Sequence, residues 1–187
     1  MSEDLHHPNA LVETAAVGKG TRVWAFAHVM KGASVGRDGN IGDHSFIESG
    51  AVIGDRVTVK NGVSVWDKVT IEDDVFLGPN AVFTNERWPV SRRKGSLDST
   101  VVRKGACIGA NAVIVCGTTV GRYAFVGAGS VVTSDVPDHA LVYGNPARLS
   151  AYLCECRHKL KFVRGKAACG CGLRYVQNSK KKVTRVP

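Results

Sequence analysis

The chain has 187 residues, 44% of them apolar, which suffices for one domain with a sizeable core and a short appendage. No apolar run approaches the roughly 20 residues of a membrane-spanning helix, and the polar start MSEDLHHPNA does not read as a secretory signal, so the expected location is the cytoplasm with its cysteines reduced. The net charge of +9 sits entirely in the tail: residues 151–187 carry ten Lys/Arg against Glu155 alone, while 15 basic and 15 acidic residues cancel before them.

From Val17 onward every sixth residue is apolar: Val17, Val23, Val29, Val35, Ile41, Ile47, Ile53, Val59, Val65, Ile71, Leu77 and Phe83. An α-helix turns about 100° per residue and would scatter a six-residue step around its axis. Two residues before each apolar position stands a small or β-branched one, such as Ala27, Ala33, Ser45 or Val57. This is the pattern of a parallel β-helix, whose short strands bury their apolar face only when neighbouring coils stack on them. The chain resembles the left-handed β-helix, hexapeptide-repeat acyltransferases. That resemblance implies three-sided coils with six residues to a side, and a left-handed turn that the repeat alone does not specify.

The phase extends back through Leu11 and Leu5, which places the start of the first coil near His7 or Pro8. After Phe83 the rhythm stops and resumes at Val102, running through Ile108, Ile114, Val120, Val126 and Val132. The gap is thirteen residues longer than one step, which predicts a loop over about 85–98 thrown out from the coil. Beyond Val132, Pro137 and Pro146 rule out central strand positions. A capping turn, an extended return strand and a helix starting near Ala147 are expected. The division is a β-helix domain over 1–150 and a helical, Cys-rich appendage over 151–187.

With eighteen residues to a coil, positions eighteen apart stack at about 4.8 Å. Val29, Ile47, Val65 and Phe83 form one inward column; Met30, Glu48, Trp66 and Thr84 follow outside it, and Lys31, Ser49, Asp67 and Asn85 mark a corner. Glu48, Trp66, Asp67 and Asn85 thus converge at the root of the loop. The plain alternative is an exposed carboxylate and a turn-forming Asn.

The stretches FIESGAVIG (46–54), VKNGVSVWDKVTIEDDVFLGPNAVFTN (59–85), GACIGANAVIVCGTTVGRYAFVGAGSVV (105–132) and VYGNPAR (142–148) resemble bacterial N-acetyltransferases of nucleotide-linked amino sugars. They are similar to those acting on the 3-amino group of dTDP-3-amino-3,6-dideoxyhexoses or on UDP-linked 2-acetamido-3-amino-uronic acids. The resemblance implies an acetyl-CoA-dependent enzyme of polysaccharide or glycoside biosynthesis, acting as a homotrimer with sites between subunits. It implies that Glu48 orients the amine or takes its proton and that Asn85 hydrogen-bonds it, without a histidine base. His28 and His44 fall outside the corner. Asp67 is read as touching the sugar, and Trp66 as stacking on it or filling a subunit contact. On the loop, Trp88, Arg92, Arg93 and Lys94 are read as reaching the nucleotide, since Arg forks suit pyrophosphate, or as a solvated flap.

Coenzyme A is expected along the later coils, its pantetheine arm against Gly109, Ala110, Gly127 and Ala128. Pro146 and Arg148 resemble the positions that meet its adenosine phosphates, with Arg103 and Lys104 behind them. Cys107 and Cys116 read as packing residues. In the tail, Cys154, Cys156, Cys169 and Cys171 form C-x-C-x12-C-x-C, in a segment too short and basic to fold on its own core. Structural zinc, a metal-free reduced tail and a redox role all remain open there, because zinc ribbons ordinarily use C-x2-C. The competing reading of the whole chain is a non-catalytic scaffold whose basic tail binds nucleic acid or a protein. Solvation is the simpler account of that charge, and nucleic acid is not an expected partner.

Overall fold

The structure, a computed structural model, describes residues 5–93 and 95–186, and consists of strands with no helix among them. Parallel strands, mostly of two residues, build the three sides of a left-handed β-helix of about seven turns. The first side stacks Leu5–His6, Arg22–Val23, Asn40–Ile41, Thr58–Val59, Phe76–Leu77, Cys107–Ile108 and Phe125–Val126. The second stacks Leu11–Val12, His28–Val29, Phe46–Ile47, Ser64–Val65, Val82–Phe83, Val113–Ile114 and Val131–Val132. The third stacks Ser34–Val35, Val52–Ile53, Val69–Ile71, Thr100–Val102 and Thr119–Val120.

The hexad explains these strands directly. The second residue of each pair points in and the first points out, so a strand needs only two residues before the corner turns it. Every hexad residue from Val23 to Phe83 and from Val102 to Val132 is buried, while Val17, at the open first turn, is half-buried. Acidic corner residues then tie each coil to the one below. The Oδ1 of Asp55 accepts the Arg37 N–H at 2.8 Å, and the Oδ1 of Asp73 accepts the Asp55 N–H at 3.0 Å.

Three expectations are corrected. The first coil begins at Leu5–His6, paired in parallel with Arg22–Val23, rather than at His7 or Pro8. The segment after Ala147 is not a helix but the strand Arg148–Tyr152, antiparallel to Ala140–Tyr143. The last strand of the first side would otherwise expose unpaired backbone groups, and folding the chain back covers them. The appendage accordingly has no helical part among the described residues: Lys166–Ala168, Arg174–Gln177 and Val183–Val186 form a three-stranded antiparallel sheet.

The tail sheet rests on the coil stack. Buried Tyr175 meets the ring of His139 at 5.1 Å, and His139 stacks on Tyr123 at 5.4 Å. The Tyr152 hydroxyl donates to the Lys181 carbonyl at 2.8 Å. Where the loop chain re-enters the prism, Thr100 is fully buried and its Oγ1 has no hydrogen-bond partner. A buried unpaired hydroxyl costs roughly 1–3 kcal/mol, so Thr100→Val, which keeps the shape, is expected to raise stability by about 1 kcal/mol in urea denaturation.

Candidate active site

The register brings the predicted corner together. Val65 pairs with Ile47 and Ser64 with Val82, so Trp66 sits above Glu48 with Thr84 above it, and Asp67 lies between Ser49 and Asn85. The Glu48 Oε2 accepts the Asp67 N–H at 2.8 Å, so this side chain rises one coil. The Trp66 indole donates to the Phe83 carbonyl at 2.9 Å and packs on Phe46 with ring centres 5.5 Å apart. Asn85 accepts the Asp98 N–H on its backbone carbonyl at 2.9 Å, while its side-chain amide has no hydrogen bond among the described residues. Glu48 and Asn85 share an edge but are two coils apart, about 9.6 Å along the axis at the usual strand spacing. Asp67 stands between them.

The loop leaves the end of the second side and returns at the start of the third. Its root is pinned by Arg87, which the sequence reading passed over. The Arg87 Nε donates to Asp98 Oδ2 at 3.2 Å and Nη2 to the Cys116 carbonyl at 3.0 Å, while Thr84 Oγ1 accepts the Cys116 N–H at 3.0 Å. The signal available was a pair of opposite charges, Arg87 and Asp98, at the two ends of the insertion. At the tip, Trp88 is 83% exposed, and Arg92 and Arg93 are exposed as well. Lys94 lies outside the described residues. His28 Nε2 lies 3.2 Å from the carboxylate of Glu13, two coils below Glu48 in the same stack, and its ring meets Phe46 at 5.4 Å, while His44 faces Phe26.

The cofactor candidates divide between two edges. Gly109, Ala110, Gly127 and Ala128 follow strands of the first side and line the edge between the first and second sides. A Cβ on Gly109 would stand 2.5 Å from the Ala128 nitrogen, so the stacking of the next coil requires a glycine there; Ala128 is exposed. Pro146 lies in the turn before Arg148, and exposed Arg148 lines a cleft with Thr133, Ser134 and Asp135 beyond the second side, on the edge that carries Asn85. That cleft adjoins a groove of about 730 Å³ in which Arg103 and Arg122 face Lys180, Lys181 and Lys182. Sequence reasoning did not assemble this basic groove, because its lysines reach the coils only through the folded tail.

The four tail cysteines come together, with all four sulfurs within 4.8 Å of one another. Burial pushes the Cys154 thiol up, but hydrogen bonds from Tyr175 and the Cys156 N–H outweigh it and leave the thiol lowered to about 7. Beneath the tail, burial holds the His139 imidazole below its usual range, against the opposing pull of the Leu153 carbonyl. An unfolded chain with an ordinary histidine therefore binds the proton first. The stability owed to neutral His139 is present above about pH 6.5 and declines as the pH falls below it. Urea midpoints at pH 7.5 and 5.5 should show this loss, and His139→Phe should reduce it.

The model of the bacterial transferase hexapeptide (six repeats) matches residues 50–85 and 99–134, and that of the hexapeptide repeat of succinyl-transferase matches 32–66. The chain is 57% identical over 170 residues, 90% of its length and 88% of the relative's, to a dTDP-3-amino-3,6-dideoxy-alpha-D-galactopyranose 3-N-acetyltransferase of Aneurinibacillus thermoaerophilus. Among solved structures it is similar to a hexapeptide-repeat acetyltransferase of Vibrio cholerae complexed with acetyl coenzyme A. That match has 29% identity and a TM-score of 0.59, covering 66% of this chain and 72% of the other. It is also similar to the acetyltransferase domain of PglB from Neisseria gonorrhoeae in complex with acetyl coenzyme A, at 26% identity and a TM-score of 0.53, over 80% and 58% of the two chains. The coil ladder, the insertion at its edge and the near full-length similarity lead to one assignment: the chain belongs to the hexapeptide-repeat acetyltransferase family.

Proposed function

We propose that this enzyme moves the acetyl group of acetyl-CoA to the amine of a nucleotide-linked amino sugar, with the C3 amine of a dTDP-3-amino-3,6-dideoxyhexose as the favoured acceptor. The observation that carries the reading is the 57% identity, across nearly the whole chain, to a 3-N-acetyltransferase of such a sugar. In the reaction the amine nitrogen attacks the thioester carbonyl, the C–S bond breaks, and the amine proton leaves, ending on the departing CoA thiolate directly or through water. The protein's task is to position the two and to hold the developing charges.

Asn85 is assigned to the amine, since its amide has no partner among the described residues and stands at the loop root. Asp67, one coil below, faces the same edge and takes the sugar or the ammonium. Glu48 acts through Asp67, whose N–H it binds. Trp88, Arg92 and Arg93 at the loop tip are assigned to the nucleotide and its pyrophosphate, with Trp66 as the wall behind the sugar. Ala110, Gly127 and Ala128 take the pantetheine arm. Arg148, after Pro146 and beside the basic groove, takes the adenosine phosphates.

A homotrimer makes these assignments compatible. The pantetheine and amine candidates lie on the two edges that flank the second side, and one chain does not bring those edges together. The outward residues of that side include Leu11, Phe46, Val82, Val113 and Val131, an apolar face that a neighbouring copy would cover. The edge between the first and second sides of one copy then meets its neighbour's loop across a cleft. We place the reaction in the cytoplasm, where acetyl-CoA is available, at a step supplying an acetylated sugar for surface polysaccharide or glycoside synthesis. No described helix is long and apolar enough to cross a membrane.

Thiol release from acetyl-CoA with a panel of dTDP- and UDP-amino sugars tests the activity, and sedimentation tests the assembly. Turnover fastest with dTDP-3-amino-3,6-dideoxyhexoses on a three-chain particle is the expected result. Inactivity across the panel, with salt-sensitive nucleic-acid binding, would return the scaffold reading.

A further inference from the structure

The tail holds a cluster for which acetyl transfer has no use. Cys154 and Cys156 lie in a tight turn closed by Cys154 N–H to the His158 carbonyl at 2.9 Å and Arg157 N–H to the Cys154 carbonyl at 2.8 Å. Cys169 and Cys171 lie in a second turn, closed by Cys169 N–H to the Leu173 carbonyl and Gly172 N–H to the Cys169 carbonyl, both at 2.9 Å. The turns face each other. Cys154 and Cys171 have sulfurs 3.4 Å apart, as do Cys156 and Cys169, and all four lie within 4.8 Å of one another. A tetrahedron of roughly 2.3 Å Zn–S bonds has edges of about 3.8 Å, within the spread of these separations.

The surroundings of the sulfurs are donors. The His158 Nδ1 lies 3.3 Å from the Cys156 sulfur. The Tyr175 hydroxyl accepts the Glu155 N–H at 3.1 Å, which leaves its own proton for the Cys154 sulfur 3.2 Å away. Donors aimed at sulfur are the second layer that a thiolate metal site requires. The charge agrees: four thiolates around a divalent ion carry a net charge of −2, and the tail sets ten Lys/Arg against one acidic residue.

We propose that Cys154, Cys156, Cys169 and Cys171 bind one zinc ion per chain as a closed structural site, and that this ion clasps the tail sheet onto the last coils. Metal binding fixes the turn that carries Arg157, whose guanidinium donates to the Tyr123 carbonyl at 3.1 Å and the Gly105 carbonyl at 2.7 Å. The same clasp keeps Tyr175 over His139 and Lys180–Lys182 beside Arg103 and Arg122. A site of this kind supplies folding energy that a small apolar core does not.

The full-length protein, expressed in zinc-containing medium and purified without chelator, is to be assayed for metal by mass spectrometry. The expected result is about one zinc per chain, reduced at least tenfold in Cys169→Ser/Cys171→Ser. Should that variant fail to fold, titrating the unaltered protein with a mercurial in the presence of a chromogenic chelator is expected to release one zinc per four thiols. Proteolysis within residues 151–187 should then accelerate about tenfold while the coils stay intact. Less than about one zinc per ten chains, an iron-coloured protein, or an intact mass about 4 Da low from two disulfides would each overturn the proposal, and none of these bears on the acetyl-transfer reading.

Discussion

Asn85→Ala is expected to lower kcat/KM for the amino sugar by roughly a thousandfold, within the range found when one positioned hydrogen-bonding group is removed from a reacting centre. Folding should not change, because the Asn85 amide makes no side-chain bond among the described residues and its backbone bond to Asp98 survives the substitution. Unaltered KM for acetyl-CoA together with the collapsed turnover would mark a group that touches the amine alone. Glu48 gives a graded comparison. Glu48→Gln keeps an oxygen for the Asp67 N–H and should cost little, whereas Glu48→Ala frees Asp67 and should cost about tenfold. An Asn85→Ala enzyme that keeps a tenth of its activity in the thiol-release assay would remove Asn85 from the chemistry.

Phe83→Ala should have the largest effect on stability, a loss of about 3–5 kcal/mol by urea denaturation. Phe83 is 1% exposed and fills the inward column otherwise built from Val29, Ile47, Val65, Ile114 and Val132. The void cannot close easily, since Val82 and Thr84 are held to the next coil by bonds of 2.8 Å to the Ala112 carbonyl and 3.1 Å to the Ile114 carbonyl. For a chain of this size such a loss lowers the melting temperature by roughly 10 °C. Activity should suffer too, because the Phe83 carbonyl holds the Trp66 indole beside Asp67. A change below 1 kcal/mol would mean that the coils relax around the gap.

The coils were legible in the sequence because one inward residue recurs at a fixed step, and a strand of two residues leaves little else to decide. The edge carrying Glu48, Trp66, Asp67 and Asn85 followed from the same step, since register along a regular prism is counting. Beyond Val132 the counting rule ends. Arg148–Tyr152 pairs with Ala140–Tyr143 because that strand had an open flank, a fact about the assembled stack and not about the local letters PARLSAYL. The basic groove was hidden for a similar reason: Arg103, Arg122 and Lys180–Lys182 are far apart in the chain and meet only after the tail turns back. Gly109 shows a second constraint that the letters alone did not reveal: a Cβ there would meet the Ala128 nitrogen of the adjacent coil at 2.5 Å.

The loop springs from a corner, and the ladder closes beneath it as though it were absent: Val69 still pairs with Thr100, and Val82 with Val113. The Glu86–Leu97 bridge seals its neck. The segment beyond Arg87, which pins the root, and before Leu97 is therefore an exchangeable cassette. Replacing it with one of another length or chemistry leaves the prism's register untouched, so under the proposed assignment of Trp88, Arg92 and Arg93 to the nucleotide, a lineage, or an engineer, would change the sugar admitted without rebuilding the coils.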